Sequence, residues 1–243
     1  MKRLTLLFAV LALLFFVPSA FAQPPCEVPD DGSGTVTMPP EDCGYVSPDD
    51  FHLMVNGLPP GTTIIVKPIH GWFVCGKERT GAVQESGCVI GGTPETGETE
   101  QFDSIVQLQL IGKGGALEGY NRTINVPANV TTKVGPRFPG DRVQSFETEM
   151  QNLGGAIAGD PDFAYLSIKA GSDNGLPSPG RTTLTQQSNG TWRVDSDFYV
   201  NYRFDFEGAQ GSLLEGSGGT SEGVVRMSAA AAKDSNTDAD TAN

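Results

Sequence analysis

From residue 191 to residue 206 the chain reads TWRVDSDFYVNYRFDF, and its apolar residues fall at every second position. The even positions are Trp192, Val194, Ser196, Phe198, Val200, Tyr202, Phe204 and Phe206; the odd positions are polar or charged apart from Tyr199. A period of two is the signature of a β-strand, whose successive side chains point to opposite faces of the sheet. One face enters an aromatic core while the other meets water, the pattern of an antiparallel sheet covered on one side. Each large apolar side chain buried there contributes about 1.5–3 kcal/mol before entropy is counted. This is the expected core strand, either continuous or broken by a bulge near Ser196.

Other segments repeat the pattern. Residues 102–111 (FDSIVQLQLI) alternate, with Val106, Leu108 and Leu110 on one side, and residues 163–170 place Leu166 and Ile168 together. Residues 51–55, 62–66 and 71–75 read as short strands, and Ser188-Asn189-Gly190 turns the chain into the core strand because Asn-Gly suits positive φ. Residues 146–153 fit either a strand or a helical turn. After two of the strands come similar runs, GKGGALEGYNRTINV (residues 112–126) and GAQGSLLEGSGGTSEGVVRM (residues 208–227), each passing through Leu-Glu-Gly. They suggest an internal repeat of a strand–loop–strand unit. Convergence of two Gly-rich hairpins explains the likeness equally well.

The pattern predicts an all-β protein, an antiparallel β-sandwich with a small disulfide-bearing β region at its N-terminus. The 31 Gly and 17 Pro agree with many short connections and no long helix. Residues 1–22 read as a signal peptide, with Lys2 and Arg3, an apolar run over residues 4–17, and Ala20-Phe21-Ala22 as a cleavage site. A cysteine-bearing β region is expected over residues 23–100, with a boundary in the loop-like GGTPETGETEQ (residues 91–101). The main sandwich is expected over residues 101–227 and a disordered tail over residues 228–243.

Removing the leader takes the net charge from −13 to −15, which disfavours nucleic acid and anionic membrane surfaces. No second apolar segment follows, so no transmembrane segment is expected once the signal is removed. The expected location is outside the cell, in the periplasm or at the envelope. Four cysteines in an exported chain imply two disulfides; of the three possible connectivities the nearest-neighbour one, Cys26–Cys43 and Cys75–Cys88, is expected.

Candidate chemistry is sparse. Asp160, Asp162, Asp173 and Asp195 lie in or beside acidic loops whose oxygens suit calcium if they converge. PDDGSG (residues 29–34) lacks calcium-loop offsets and reads as a turn. His52 and His70 are the only histidines, and no motif surrounds either. Gly219-Thr220-Ser221-Glu222-Gly223 matches the G-x-S-x-G string of serine hydrolases, but no histidine follows it and a Gly-rich hairpin loop is expected there. The pairs Glu147/Glu149 and Asp195/Asp197 have the residue types of glycosidase acids, with nothing to suggest that either pair is buried. Trp72 and an outward-facing Tyr199 are candidates for stacking on sugars.

The runs GDRVQSFETEM, GDPDFAYLSIKAG, LPSPGRTTLT, TWRVDSDFYVNYRFDFEGA and EGSGGTSEGVVRM resemble a module of uncharacterised exported proteins of environmental bacteria, over about residues 101–227. The resemblance implies a secreted β module and carries no catalytic residues. The leading expectation is a non-enzymatic structural or envelope interaction protein with a protein or polysaccharide partner. A calcium-assisted carbohydrate-binding module comes second, and a hydrolase using acidic residues third.

Overall fold

The computed structural model describes residues 24–40, 42–47, 52–54, 56–75 and 88–231. The leader and residues 232–243 of the expected tail lie outside the described residues. Among the described residues there are twelve strands: β1 (Cys26–Pro29), β2 (Cys43–Val46), β3 (His52–Met54), β4 (Thr63–Val74), β5 (Val89–Thr93), β6 (Gly97–Lys113), β7 (Asn121–Val134), β8 (Val143–Ala158), β9 (Phe163–Ala170), β10 (Ser178–Gln186), β11 (Thr191–Gly208) and β12 (Gly218–Ala231). Among the described residues the only helical pieces are the 3-10 turns Gly115–Leu117 and Ser172–Asn174, and no helix is long and apolar enough to cross a membrane.

All pairings are antiparallel, as a sandwich requires, and they continue around both edges. β6, β7 and β8 pair in succession; β9 and β10 both pair with β8 and β11; β11 pairs with β12. From there β12 pairs with β2, β2 with β4 and β4 with β6. The two layers thus face each other across one core and are hydrogen-bonded into a closed ring. β9 and β10 run in line as one strand interrupted at residues 171–177, so the ring is eight strands around. Closure at that number leaves an interior just wide enough for side chains or one small ligand.

β11 is continuous through Ser196, and all of its even positions from Trp192 to Phe206 are buried. No bulge is needed there because the inward Ser196 hydroxyl is hydrogen-bonded to Thr182 Oγ1 (2.7 Å) and receives the Tyr45 hydroxyl (3.1 Å). Residues 146–153 belong to strand β8. Both disulfides form as expected, Cys26–Cys43 and Cys75–Cys88.

Two boundaries are corrected. Residues 91–101 are the β5–β6 hairpin rather than a linker, and β6 runs unbroken from Gly97. The cysteine-bearing region supplies β2 and β4 to the ring, so Tyr45, Met54, Ile64, Val66 and Phe73 share one core with the residues after 101. At the other end, residues 228–231 of the expected tail pair with β2.

The two Leu-Glu-Gly loops have one geometry. Glu118 Oε2 accepts the Gly114 amide (2.7 Å), as Glu215 Oε2 accepts that of Gly211 (2.8 Å). Leu117 and Leu214 are fully buried, and Gly119 and Gly216 both have positive φ. Gly112 N–H donates to Tyr120 O and Gly208 N–H to Ser217 O, closing the loops at matching points. The loops meet at Asp162, whose carboxylate takes the Tyr120 hydroxyl (2.9 Å) and whose carbonyl takes the Ala209 amide (2.8 Å).

A Cβ at Gly208 would lie 1.8 Å from the Leu214 carbonyl oxygen, and one at Gly112 would lie 2.2 Å from that of Leu117. Gly208→Ala and Gly112→Ala are therefore each expected to lower unfolding free energy by ~2 kcal/mol or more, read from urea melts. Gly159→Ser, which meets nothing within 4 Å but has a positive φ, is expected to cost about 1 kcal/mol.

Candidate functional site

Trp72 stands apart from the alternation around it. It is the one non-glycine among the described residues with positive φ (54°), where a bulky residue is strained by about 1–2 kcal/mol. The β4–β6 register pairs Gly71 with Ile105 and Val74 with Asp103, so Trp72 and Phe73 together oppose Ser104. This extra residue is a β-bulge, which re-aims side chains. Phe73 turns into the core against His70 and Phe102, while Trp72 turns outward and is half-buried.

The outward indole forms part of a groove of about 530 Å³ across the outer face of β4, β6, β7 and β8. Val74, Asp103, Asn129 and Gly154 lie opposite one another in register on those four strands. Neighbouring strands are about 4.8 Å apart, so this row is roughly 14 Å long. The Asn129 amide donates to Asp103 Oδ1 (3.2 Å). A Cβ at Gly154 would meet nothing within 4 Å, so glycine keeps the floor low there. Apolar walls with a few placed polar groups, in this volume range, describe a ligand groove.

The interior holds a second set of polar groups. His52 Nε2 is 2.9 Å from Ser221 Oγ, and His70 Nε2 is 2.9 Å from Ser104 Oγ. Burial lowers both imidazoles to about 4, keeping them neutral at pH 7. Ser221 belongs to the G-x-S-x-G string, which is strand β12 and not the expected loop. A serine at this distance from a neutral histidine has nucleophile–base spacing. The pair is nonetheless buried in the core, with the His52 ring edge-on to Tyr202 at 4.7 Å, and among the described residues no carboxylate hydrogen-bonds the imidazole. Its role is to satisfy polar atoms inside the ring.

At the end of the ring closed by residues 30–40, Arg137 pairs with Glu98 (2.7 Å), donates to Thr35 Oγ1 and Val36 O, and stacks 5.2 Å from the Phe146 ring centroid. Glu100 is 1% exposed beside it. Burial, then Glu98, push the Glu100 carboxyl well above the usual range, against the pull of Arg137. Sequence reading assigned residues 98 and 100 to a loop. The missed signal was parity, since both share the inward phase of Phe102, Val106 and Leu108.

The calcium candidates separate. Asp160 and Asp162 share Arg122, at 2.9 and 2.6 Å. Burial would raise the Asp160 carboxyl, but Arg122 and the amides of Asp162 and Phe163 outweigh it and hold it low. Asp195 pairs with Arg193 on the exposed face of β11, and Asp173 lies in the 3-10 turn after β9. Among the described residues no three His, Cys, Asp or Glu are grouped to hold a metal. Glu147 pairs with Arg181 and Asp197 with Arg226 at the surface, while Glu149 accepts the Ser178 amide. The PDDGSG segment turns through Asp30 and Asp31, whose carboxylates accept the Gly32 and Ser33 amides. Tyr199 faces outward, 55% exposed.

Comparison with family models, with curated proteins and with solved structures finds no match.

Two outcomes are expected here. Because the folded His70 titrates below its ordinary value, its contribution to stability is complete above about pH 6.5 and is lost as pH falls toward 4. Between pH 7 and 4.5 that loss is on the order of 2–3 kcal/mol. The drop should be smaller by that amount in His70→Gln, compared by urea melts at both pH values. Thermal melts in calcium and in EGTA should coincide, since Arg122 already supplies the countercharge of Asp160 and Asp162.

Proposed function

We propose that the protein is an exported, non-enzymatic binding module that holds a neutral saccharide chain in the Trp72 groove. The observation that carries this reading is the strained, outward Trp72 at the bulge. Backbone strain of this kind persists where the surrounding structure imposes it, and it clusters at ligand sites. A sugar offers a C–H face to an indole and a rim of hydroxyls to coplanar amide and carboxylate groups. Trp72 supplies the first contact, and Asp103 with Asn129 the second. No basic side chain lines the groove, so a neutral chain fits better than an acidic one.

Calcium has no part in this reading, since the groove contains a single carboxylate and the aspartate loops lie elsewhere. The apolar leader and the two disulfides support export to an oxidising compartment. The resemblance of residues 101–227 to exported β modules agrees with a secreted or envelope location. A polysaccharide at the cell surface is the partner proposed.

The test is affinity electrophoresis and calorimetry against a panel of neutral and acidic polysaccharides. Trp72→Ala should weaken binding to the preferred neutral glycan on the order of thirtyfold, about 2 kcal/mol. Gly154→Leu should block the groove without lowering the melting temperature. If both variants bind as the wild type does, or if only acidic glycans bind, the reading fails.

A further inference from the structure

Inside the ring lie two adjoining cavities of about 40 Å³ each, which share His70, Met150, Val200 and Met227 in their walls. The first also exposes the rings of Tyr45, Phe73, Phe102 and Phe198 and is closed by Met38 and Pro39. These rings touch edge to face, Tyr45 with Phe198 at 5.4 Å and Phe73 with Phe102 at 5.4 Å. Two polar atoms in the same wall have no partner: Glu100 Oε1 and Thr148 Oγ1. Their residues are 1% and 4% exposed. A buried polar atom left unpaired costs about 1–3 kcal/mol, and here two face one void.

Charge selects among possible occupants. Two carboxyls, Glu98 and Glu100, enter this end of the interior against a single cation, Arg137, which is held by Glu98, Thr35 and Val36. Arg137 does not line the cavity, and the one imidazole that does is neutral at pH 7. With both carboxyls ionised the site is one positive charge short, and its walls are aromatic and thioether groups, which favour a cation with an apolar body. We propose that the cavity at Glu100 binds a small organic ammonium ion, of methylammonium to trimethylammonium size, between the Glu100 carboxylate and the aromatic wall.

In the empty site burial and Glu98 favour the protonated Glu100; with the ammonium bound, the proton leaves to solvent and the carboxylate faces the cation. Binding is thus linked to release of one proton. The groups facing Glu100 are Glu98 on its own strand, Arg137 from the segment after β7, Tyr45 on β2 and His70 on β4. The Tyr45 hydroxyl, raised to about 12 mainly by burial, stays neutral throughout. His70 stays neutral above about pH 5, so Glu100 dominates the linkage between pH 5 and 7.

The experiment titrates the intact mature protein with methylammonium and trimethylammonium chloride, with sodium chloride at equal ionic strength as the control. Calorimetry and thermal melts give the readout. Saturable binding with a rise in melting temperature is expected, its affinity increasing with pH by up to about tenfold per unit over the range in which the empty site holds Glu100 protonated. Glu100→Gln should fold with at least wild-type stability at pH 7, since it removes a carboxyl whose ionisation burial and Glu98 disfavour, and should lose ammonium binding. Thr148→Val should weaken binding without unfolding the protein. Trp72→Ala should leave it unchanged, which separates this site from the saccharide groove. The proposal is overturned if no ammonium binds, if Glu100→Gln binds as tightly as the wild type, or if isopropanol of similar size binds as well, which would mark a neutral or water-filled void.

Discussion

Closing an antiparallel sheet on itself removes its edges and commits every second side chain to an enclosed interior. In this protein that commitment is made by β11, which pairs with β1, β9, β10 and β12 and buries a side chain at each even position from 192 to 206. Whatever sits in the inward phase must be apolar or must find a partner inside. Ser196 is held between Thr182 and Tyr45, and each histidine is held by a serine from another strand, His52 by Ser221 of β12 and His70 by Ser104 of the neighbouring β6. Glu98 is answered by Arg137. Glu100 Oε1 and Thr148 Oγ1 have no partner and line one cavity, and that is the observation behind the ammonium proposal.

The ends of the ring obey the same constraint by different means. At one end the repeated Leu-Glu-Gly loops drive Leu117 and Leu214 inward and fold over Asp162, with Arg122 balancing the acids. At the other, residues 30–40 cross the opening, tied by the Cys26–Cys43 disulfide and by Arg137 to Thr35 and Val36. A carboxylate that looks like a calcium ligand in the sequence has here the more local role of fixing a loop against an arginine. Such a pair has its countercharge built in.

Outside the ring the constraint relaxes, and the groove proposed for a saccharide lies there. The bulge at Trp72 and Phe73 adds one residue to β4, sending one aromatic into the core and the other over a shallow row of short side chains. Gly154 and Asn129 matter there for what they omit or offer, and not for packing. The protein thus has two candidate sites of opposite character: an outer groove with an amide and a carboxylate, and an inner wall of rings around a single acid. They share strands β4, β6, β7 and β8 but no residue proposed for binding.

The all-β class, the core strand, the turn at residues 188–190 and the likeness of the two Leu-Glu-Gly loops were legible in the chain. Each depends on neighbours in sequence: period-two alternation, Asn-Gly backbone preference, or a repeated string. Glu98 and Glu100 were legible in principle through their phase, but acidic composition next to Gly and Pro read as a loop. The closed ring, the joining of residues 23–100 to the rest, the meeting of Ser221 with His52 and the groove beneath Trp72 came only with the tertiary structure. They depend on which strands pair and in what register, and those choices bring together residues as distant as 52 and 221. Local periodicity says which way a side chain points on its strand; only the pairing of distant strands says what it meets there.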